Sequence, residues 1–102
     1  MNLQYELQEG LLRVSLTGEL GHHEAIRLMA QLNGLVEDHL PARMELDFSG
    51  LEFMDSSGIG FVMGRYKLIR SLDGELRIQG ASARMEKVMR LAGLEKLPIW
   101  KG

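Results

Sequence analysis

The 102-residue chain contains no cysteine, which excludes disulfides and every metal site built on thiolates. Proline occurs only at Pro41 and Pro98, so no proline-rich linker or recognition segment is encoded. Neither sign of charge dominates: 12 Lys and Arg stand against 14 Asp and Glu, for a formal net charge of −2. The cations are scattered among acids, which removes the basic stripe of a nucleic-acid binder. No apolar run approaches the ~20 residues of a membrane-spanning helix. Met1 to Gln8 carry acid and amide groups where a signal peptide has a basic start and an apolar block. The expectation is a cytoplasmic protein with no nucleic-acid and no membrane partner. Repeats and low-complexity tracts are absent too, so residues 1–102 read as one domain.

What is present is an alternation of two periods. Leu3, Tyr5 and Leu7 alternate with Gln4, Glu6 and Gln8, as in a half-buried strand. Glu9-Gly10 marks a turn, and Leu12, Val14 and Leu16 alternate beyond it, which predicts an antiparallel hairpin. From His22 to about Asp38 the spacing becomes helical, with Ala25, Met29, Leu32 and Val36 on a stripe widened by Leu28 and Leu35. Met44, Leu46 and Phe48 restore the strand period. A second helix is predicted from about Ser56 to Leu72, burying Ile59, Val62, Met63, Tyr66 and Ile69. Leu76 and Ile78 make a short fourth strand after the Asp73-Gly74 turn. Ser82 caps a third helix with Met85, Val88, Met89 and Ala92 as its apolar face, and Gly93 stops it. The tail from Leu97 to Trp100 either pairs at a sheet edge or packs on the surface.

The fold class that follows is α/β, in the order β-β-α-β-α-β-α. Helices between successive strands favour right-handed parallel crossovers, while the hairpin imposes one antiparallel pair, so the sheet of about four strands is mixed. Clean alternation in the strands places the helices mainly on one face. Arg65, Lys67, Arg70, Arg84, Lys87 and Arg90 are expected on solvated faces or near helix ends, where they complement the helix dipole.

The stretch with chemical content is Phe53-Met54-Asp55-Ser56-Ser57-Gly58-Ile59-Gly60, where a strand hands over to a helix. Asp55 and Ser56 suit a helix N-terminus, where a side-chain oxygen capping an orphan N–H is worth ~1 kcal/mol. Gly58 and Gly60 do not suit a first turn, since two glycines there cost roughly 1.5–2 kcal/mol relative to alanine. Close backbone approach to a strand, a partner or an anion would offset that. A nucleophile elbow needs glycine where Met54 stands, and nothing in the sequence places His22, His23 or His39 beside Ser56. No Gly-Lys-Ser/Thr follows, so the segment is not a P-loop either. His22 and His23 point about 100° apart on a helix, and Ile26 and Arg27 fill the following-turn positions, so no metal site is expected. No catalytic residue and no cofactor follow from these patterns.

On Leu16-Thr17-Gly18-Glu19-Leu20 with His22-His23, on Phe53 to Gly60, on Gly64-Arg65-Tyr66-Lys67 with Ile69, and on Gly74-Glu75, the chain resembles the STAS family. Within it the likeness is to anti-sigma factor antagonists of the stage II sporulation protein AA type, over residues 1 to 96. The resemblance implies a non-enzymatic partner switch. The unmodified antagonist binds an anti-sigma factor that is also a serine kinase with bound ATP or ADP, and so releases a sporulation sigma factor. Phosphorylation of the first serine, Ser56 here, inactivates it, and a PP2C-type phosphatase reverses the modification. The implied partner surface is Asp55, Ser56, Ser57, Gly58 and Ile59 with Glu19, Gly21 and His22. Two departures stand out: the family commonly has Asp where this chain has Gly21, and close relatives continue into a further C-terminal helix where this chain stops at Gly102. Either the acidic contact to the kinase is missing here, or Glu19 or Glu24 supplies it. The alternatives are a STAS scaffold subunit of a lipid or anion transport assembly, without phospho-switching, and a nucleotide-binding protein using the Ser56–Gly60 loop.

Overall fold

The computed structural model describes residues 2–100. Strand β1 (Asn2–Gln8) pairs antiparallel with β2 (Leu11–Leu20) through the Glu9-Gly10 turn. Helix α1 (His22–His39) then returns the chain to β3 (Arg43–Met54), which lies parallel to β2. Helix α2 (Ser56–Ser71) leads to β4 (Glu75–Gln79), parallel to β3, and α3 (Ala83–Leu91) is followed by a single 3-10 turn (Leu94–Lys96). The four strands lie side by side in sequence order, so the predicted mixed sheet and element order hold.

One face of the sheet presents Leu12, Val14 and Leu16 of β2, Met44, Leu46 and Phe48 of β3, and Leu76 and Ile78 of β4, all buried. Ala25, Leu28, Leu32 and Val36 of α1 and Phe61, Val62 and Ile69 of α2 close that core, and Met85 and Met89 of α3 complete it. The opposite face is polar. Arg13, Glu45 and Arg77 occupy paired positions on three neighbouring strands, and Arg13 Nε donates to Glu45 Oε1 at 3.1 Å. Asp47 lies one position further along this face. Its carboxylate accepts from Ser49 Oγ at 2.6 Å, and that bond, partly opposed by burial, holds its pKa below the usual carboxylate value. A depressed folded pKa contributes stability above the unfolded value of ~3.9 and loses it as pH falls through the folded value. Asp47→Asn is therefore expected to lower the thermal midpoint at neutral pH and to shrink that deficit below about pH 4. Thermal melts across that range check it.

The third strand is longer than its alternation suggests, because β3 carries two bulges. Phe48 and Ser49 together oppose Leu16, and Glu52 is an extra residue beside the Gly18-Glu19 step. Each insertion moves the inward position by one. Burial passes from Met44, Leu46 and Phe48 to Leu51 and then Met54, and the strand runs to the start of α2.

Two helical faces differ from the sequence reading. On α2 the buried row is Gly58, Phe61, Val62, Arg65 and Ile69, while Ile59, Met63 and Tyr66 are half-buried. On α3 only Met85 and Met89 are buried; Val88 and Ala92 face solvent. Arg65 departs furthest from expectation: it is 5% exposed, not on a solvated face. Its guanidinium carbon lies 5.4 Å from the Phe61 ring centroid, a cation–π contact. Its Nε and Nη1 are buried with no hydrogen-bond partner among the described residues, and desolvation lowers its pKa. Arginine stays charged at any working pH, so this burial costs stability throughout. Arg65→Met is expected to raise stability by about 1 kcal/mol, roughly 4–8 °C in thermal midpoint. A fall on calorimetry would show that the guanidinium gains more than its desolvation costs.

The tail takes the first of its two expected roles. Ile78 N donates to Ile99 O at 2.6 Å, and Ile78 and Trp100 form a parallel bridge along the edge of β4. Trp100 is held by its indole N–H to Leu94 O at 3.3 Å and by Arg90, 5.5 Å above its ring.

Candidate functional site

Leu20 and Met54 are register partners at the carboxyl ends of parallel strands β2 and β3, so α1 and α2 begin side by side. Asp55 N donates to Leu20 O at 3.4 Å across this junction. Ligands and partners of open α/β sheets meet this edge, where helix N-termini present N–H groups and partial positive charge.

The two N-termini are capped differently. At α2 the side chain of Asp55 accepts from Ser57 N at 2.8 Å, and Asp55 O accepts from Gly58 N at 3.0 Å. At α1 the cap residue is Gly21, which has no side chain, and the Glu24 carboxylate folds back to accept from Gly21 N at 3.3 Å. A Cβ placed on Gly21 would lie 3.1 Å from Glu24 Oε1 and 3.8 Å from Asp55 Oδ2. Position 21 is thus flanked by two carboxylates, and Glu24 already fills the space into which an aspartate side chain would project.

The serines sit in unlike surroundings. Ser56, first residue of α2, is exposed. Ser57 is half-buried against α1, its Oγ 3.3 Å from His22 Nδ1. The pairing of Leu20 with Met54 brings His22 to Ser57, the neighbour of Ser56, across 35 residues of sequence. The contact is exposed. No carboxylate hydrogen-bonds the ring's other nitrogen among the described residues, so the third member of a nucleophile–base–orienter set is missing.

The two glycines also part ways. A Cβ on Gly58 would lie 2.1 Å from Met54 Cγ, 2.8 Å from its Sδ and 3.3 Å from Leu20 Cδ2. The helix backbone packs directly on the strand ends, which is the close approach anticipated from sequence. A Cβ on Gly60 would meet nothing within 4 Å among the described residues, so no contact there offsets its cost to the helix.

The structure brings Asp55, Ser56, Ser57, Gly58, Gly21 and His22 to one junction. Ile59 is half-buried one position further along α2. Glu19 is exposed near the end of β2, where it lines a depression with Glu24, Arg27 and Glu52. Phe53, part of the informative stretch but not of the partner surface expected from sequence, is half exposed beside a groove of about 270 Å3 formed with Met54, Met85, Val88 and Arg84. An apolar residue next to the Asp-Ser-Ser-Gly turn was the available signal. No helix among the described residues is long and apolar enough to cross a membrane.

A family described as Mlab, STAS domain matches residues 3–99. An anti-sigma F factor antagonist of Paenibacillus polymyxa is 36% identical, over 98% of this chain and 88% of that protein. The structure of the anti-sigma factor antagonist SpoIIAA in its unphosphorylated form superposes with a TM-score of 0.79 at 26% identity, covering 99% of this chain and 88% of the other. The Bacillus cell fate determinant SpoIIAA in its phosphorylated form gives 0.77 at 27% identity, covering 99% and 92%.

Proposed function

The chain belongs to the STAS domain family, and from that premise we propose that it is an anti-sigma factor antagonist switched off by phosphorylation of Ser56. The observation that carries this reading is the placement of Ser56: exposed, at the first position of a capped helix, beside a second helix N-terminus. The relatives are named for antagonism of an anti-sigma factor, and SpoIIAA is known in phosphorylated and unphosphorylated forms. The partner is an anti-sigma factor with serine kinase activity and bound ATP or ADP. It docks on the junction formed by Asp55 to Ile59 with Gly21 and His22. Glu24, whose carboxylate lies against Gly21, supplies the acidic contact of this surface. A PP2C-type phosphatase regenerates the active form. The chain works in the cytoplasm as ligand and substrate, with no catalytic step of its own, and the sigma factor it frees is a sporulation factor.

The electrostatics suit a local switch. A phosphate adds about −1.5 to −2 charges, and each nearby helix N-terminus offers roughly +0.5, so the fold can carry the group without rearranging. A partner carboxylate ~6 Å away, at an effective dielectric of ~40, is repelled by about 2 kcal/mol.

Sigma-factor release tests the function itself. Added in excess to a preformed complex of the anti-sigma and sigma factors with ADP, the unmodified chain is expected to take the anti-sigma factor and leave free sigma factor. A sigma complex that persists unchanged on size exclusion would contradict the proposal.

A further inference from the structure

We propose that His22 is the specificity-determining residue that confines modification to the first of the two adjacent serines. The inference rests on the phospho-switch reading of Ser56 and concerns what keeps its neighbour out of that reaction. In the transfer, a serine Oγ forms a bond to the γ-phosphorus of ATP as the bond from that phosphorus to the ADP oxygen breaks, and the hydroxyl proton passes to a base of the kinase. Ser56 and Ser57 are equal in intrinsic chemistry and one residue apart, so selection between them has to come from their surroundings.

Those surroundings differ at every point the reaction uses. Ser56 is exposed and makes no side-chain hydrogen bond among the described residues. Ser57 has its backbone N–H on Asp55 Oδ1 at 2.8 Å and its Oγ 3.3 Å from His22 Nδ1. The Asp55 bond fixes the peptide, and the His22 contact holds the hydroxyl against α1. In-line attack requires the hydroxyl to leave that contact and meet an incoming base and phosphate. His22 is itself pinned: it is the first residue of α1, directly after the Gly21 cap that Glu24 closes at 3.3 Å. Its position follows from the pairing of Leu20 with Met54. The discriminating contact is thus long-range, while the Asp-Ser-Ser-Gly segment alone treats both serines alike.

The test uses the full chain, ATP and the anti-sigma kinase of the same host, with residue-resolved mass spectrometry at equal total phosphate. In the parent chain nearly all phosphate is expected on Ser56. Losing one hydrogen bond of ordinary strength changes the availability of a group by about three- to tenfold. His22→Ala is therefore expected to raise the Ser57 share three- to tenfold. His22→Asn, whose amide nitrogen can occupy the place of Nδ1, is expected to restore the parent distribution. Thermal melts of both variants matching the parent show that the fold is intact. An unchanged Ser57 share in His22→Ala overturns the inference alone. A raised share that His22→Asn does not restore overturns the hydrogen-bond mechanism. Phosphate on neither serine of the parent chain overturns the switch and the inference together, so the two failures are told apart.

Discussion

Ser56→Asp is expected to bind the anti-sigma factor about tenfold more weakly than Ser56→Ala. The alanine variant should match the unmodified chain and remain active in the presence of ATP and kinase. The asymmetry arises because Ser56 is exposed, so removing its hydroxyl leaves nothing buried unpaired. A carboxylate in its place adds charge beside Asp55, with Glu24 near the same junction. Aspartate brings one charge where phosphate brings nearly two, so a phosphorylated chain should lose more affinity than the mimic. The folded state should barely notice either change. Aspartate is welcome at a helix N-terminus, worth roughly 0.3–1 kcal/mol, so thermal midpoints should stay close to the parent. Isothermal titration against the anti-sigma factor with ADP, alongside melts, separates a binding effect from a folding one. Equal affinities for the two variants would remove electrostatic exclusion as the switch.

The largest effect on stability is expected at Gly58. Valine there would put its Cβ 2.1 Å from Met54 Cγ, with Leu20 Cδ2 at 3.3 Å on the other side. Met54 is a core residue, 8% exposed, and cannot swing into solvent without opening the junction. Overpacking of this kind costs about 1–3 kcal/mol, and the near-axial collision here belongs at the upper end. A fall of roughly 10–20 °C in thermal midpoint follows for a domain of this size. Gly60 is the control: with open space at its Cβ position, Gly60→Ala should gain about 0.5–1 kcal/mol from helix propensity alone. If both substitutions shifted the midpoint equally, close packing at Gly58 would not be the reason for glycine there.

The parts of this architecture that were legible in the sequence are those set by local periodicity. Leu12-Val14-Leu16 and Met44-Leu46-Phe48 point to one face because alternate residues must, and Ala25, Leu28, Leu32 and Val36 fall on one helical stripe for the equivalent reason. Asp55 and Ser82 read as caps and are caps. Features set by the partner strand were not legible. The bulges of β3 exist only relative to β2, so Leu51 turns inward against the simple alternation and the second bulge brings Met54 back into phase with it. Arg65 lies on the buried row of α2 because Phe61 and Ile69 share it, whereas charge alone argued for solvent. Val88 and Ala92 carried an apolar label onto an exposed face, since a nine-residue helix packs through only Met85 and Met89.

The candidate site divides along the same line. Asp-Ser-Ser-Gly announces a helix entry by composition, and its two glycines signal that something approaches closely. Which element approaches is a matter of register: Met54 and Leu20 meet Gly58, and nothing among the described residues meets Gly60. The contact of His22 with Ser57 joins residues 35 apart, and no local rule connects them.

The central claim, that Ser56 is the switch, is tested most directly by intact-mass measurement after incubation with ATP and the host's anti-sigma kinase, followed by mapping of the modified residue and a binding titration of the product. The account predicts a single phosphate, mapped to Ser56, and a product that no longer displaces the sigma factor. An unmodified chain alongside an active control substrate, or a phosphorylated chain that binds as tightly as before, would contradict it.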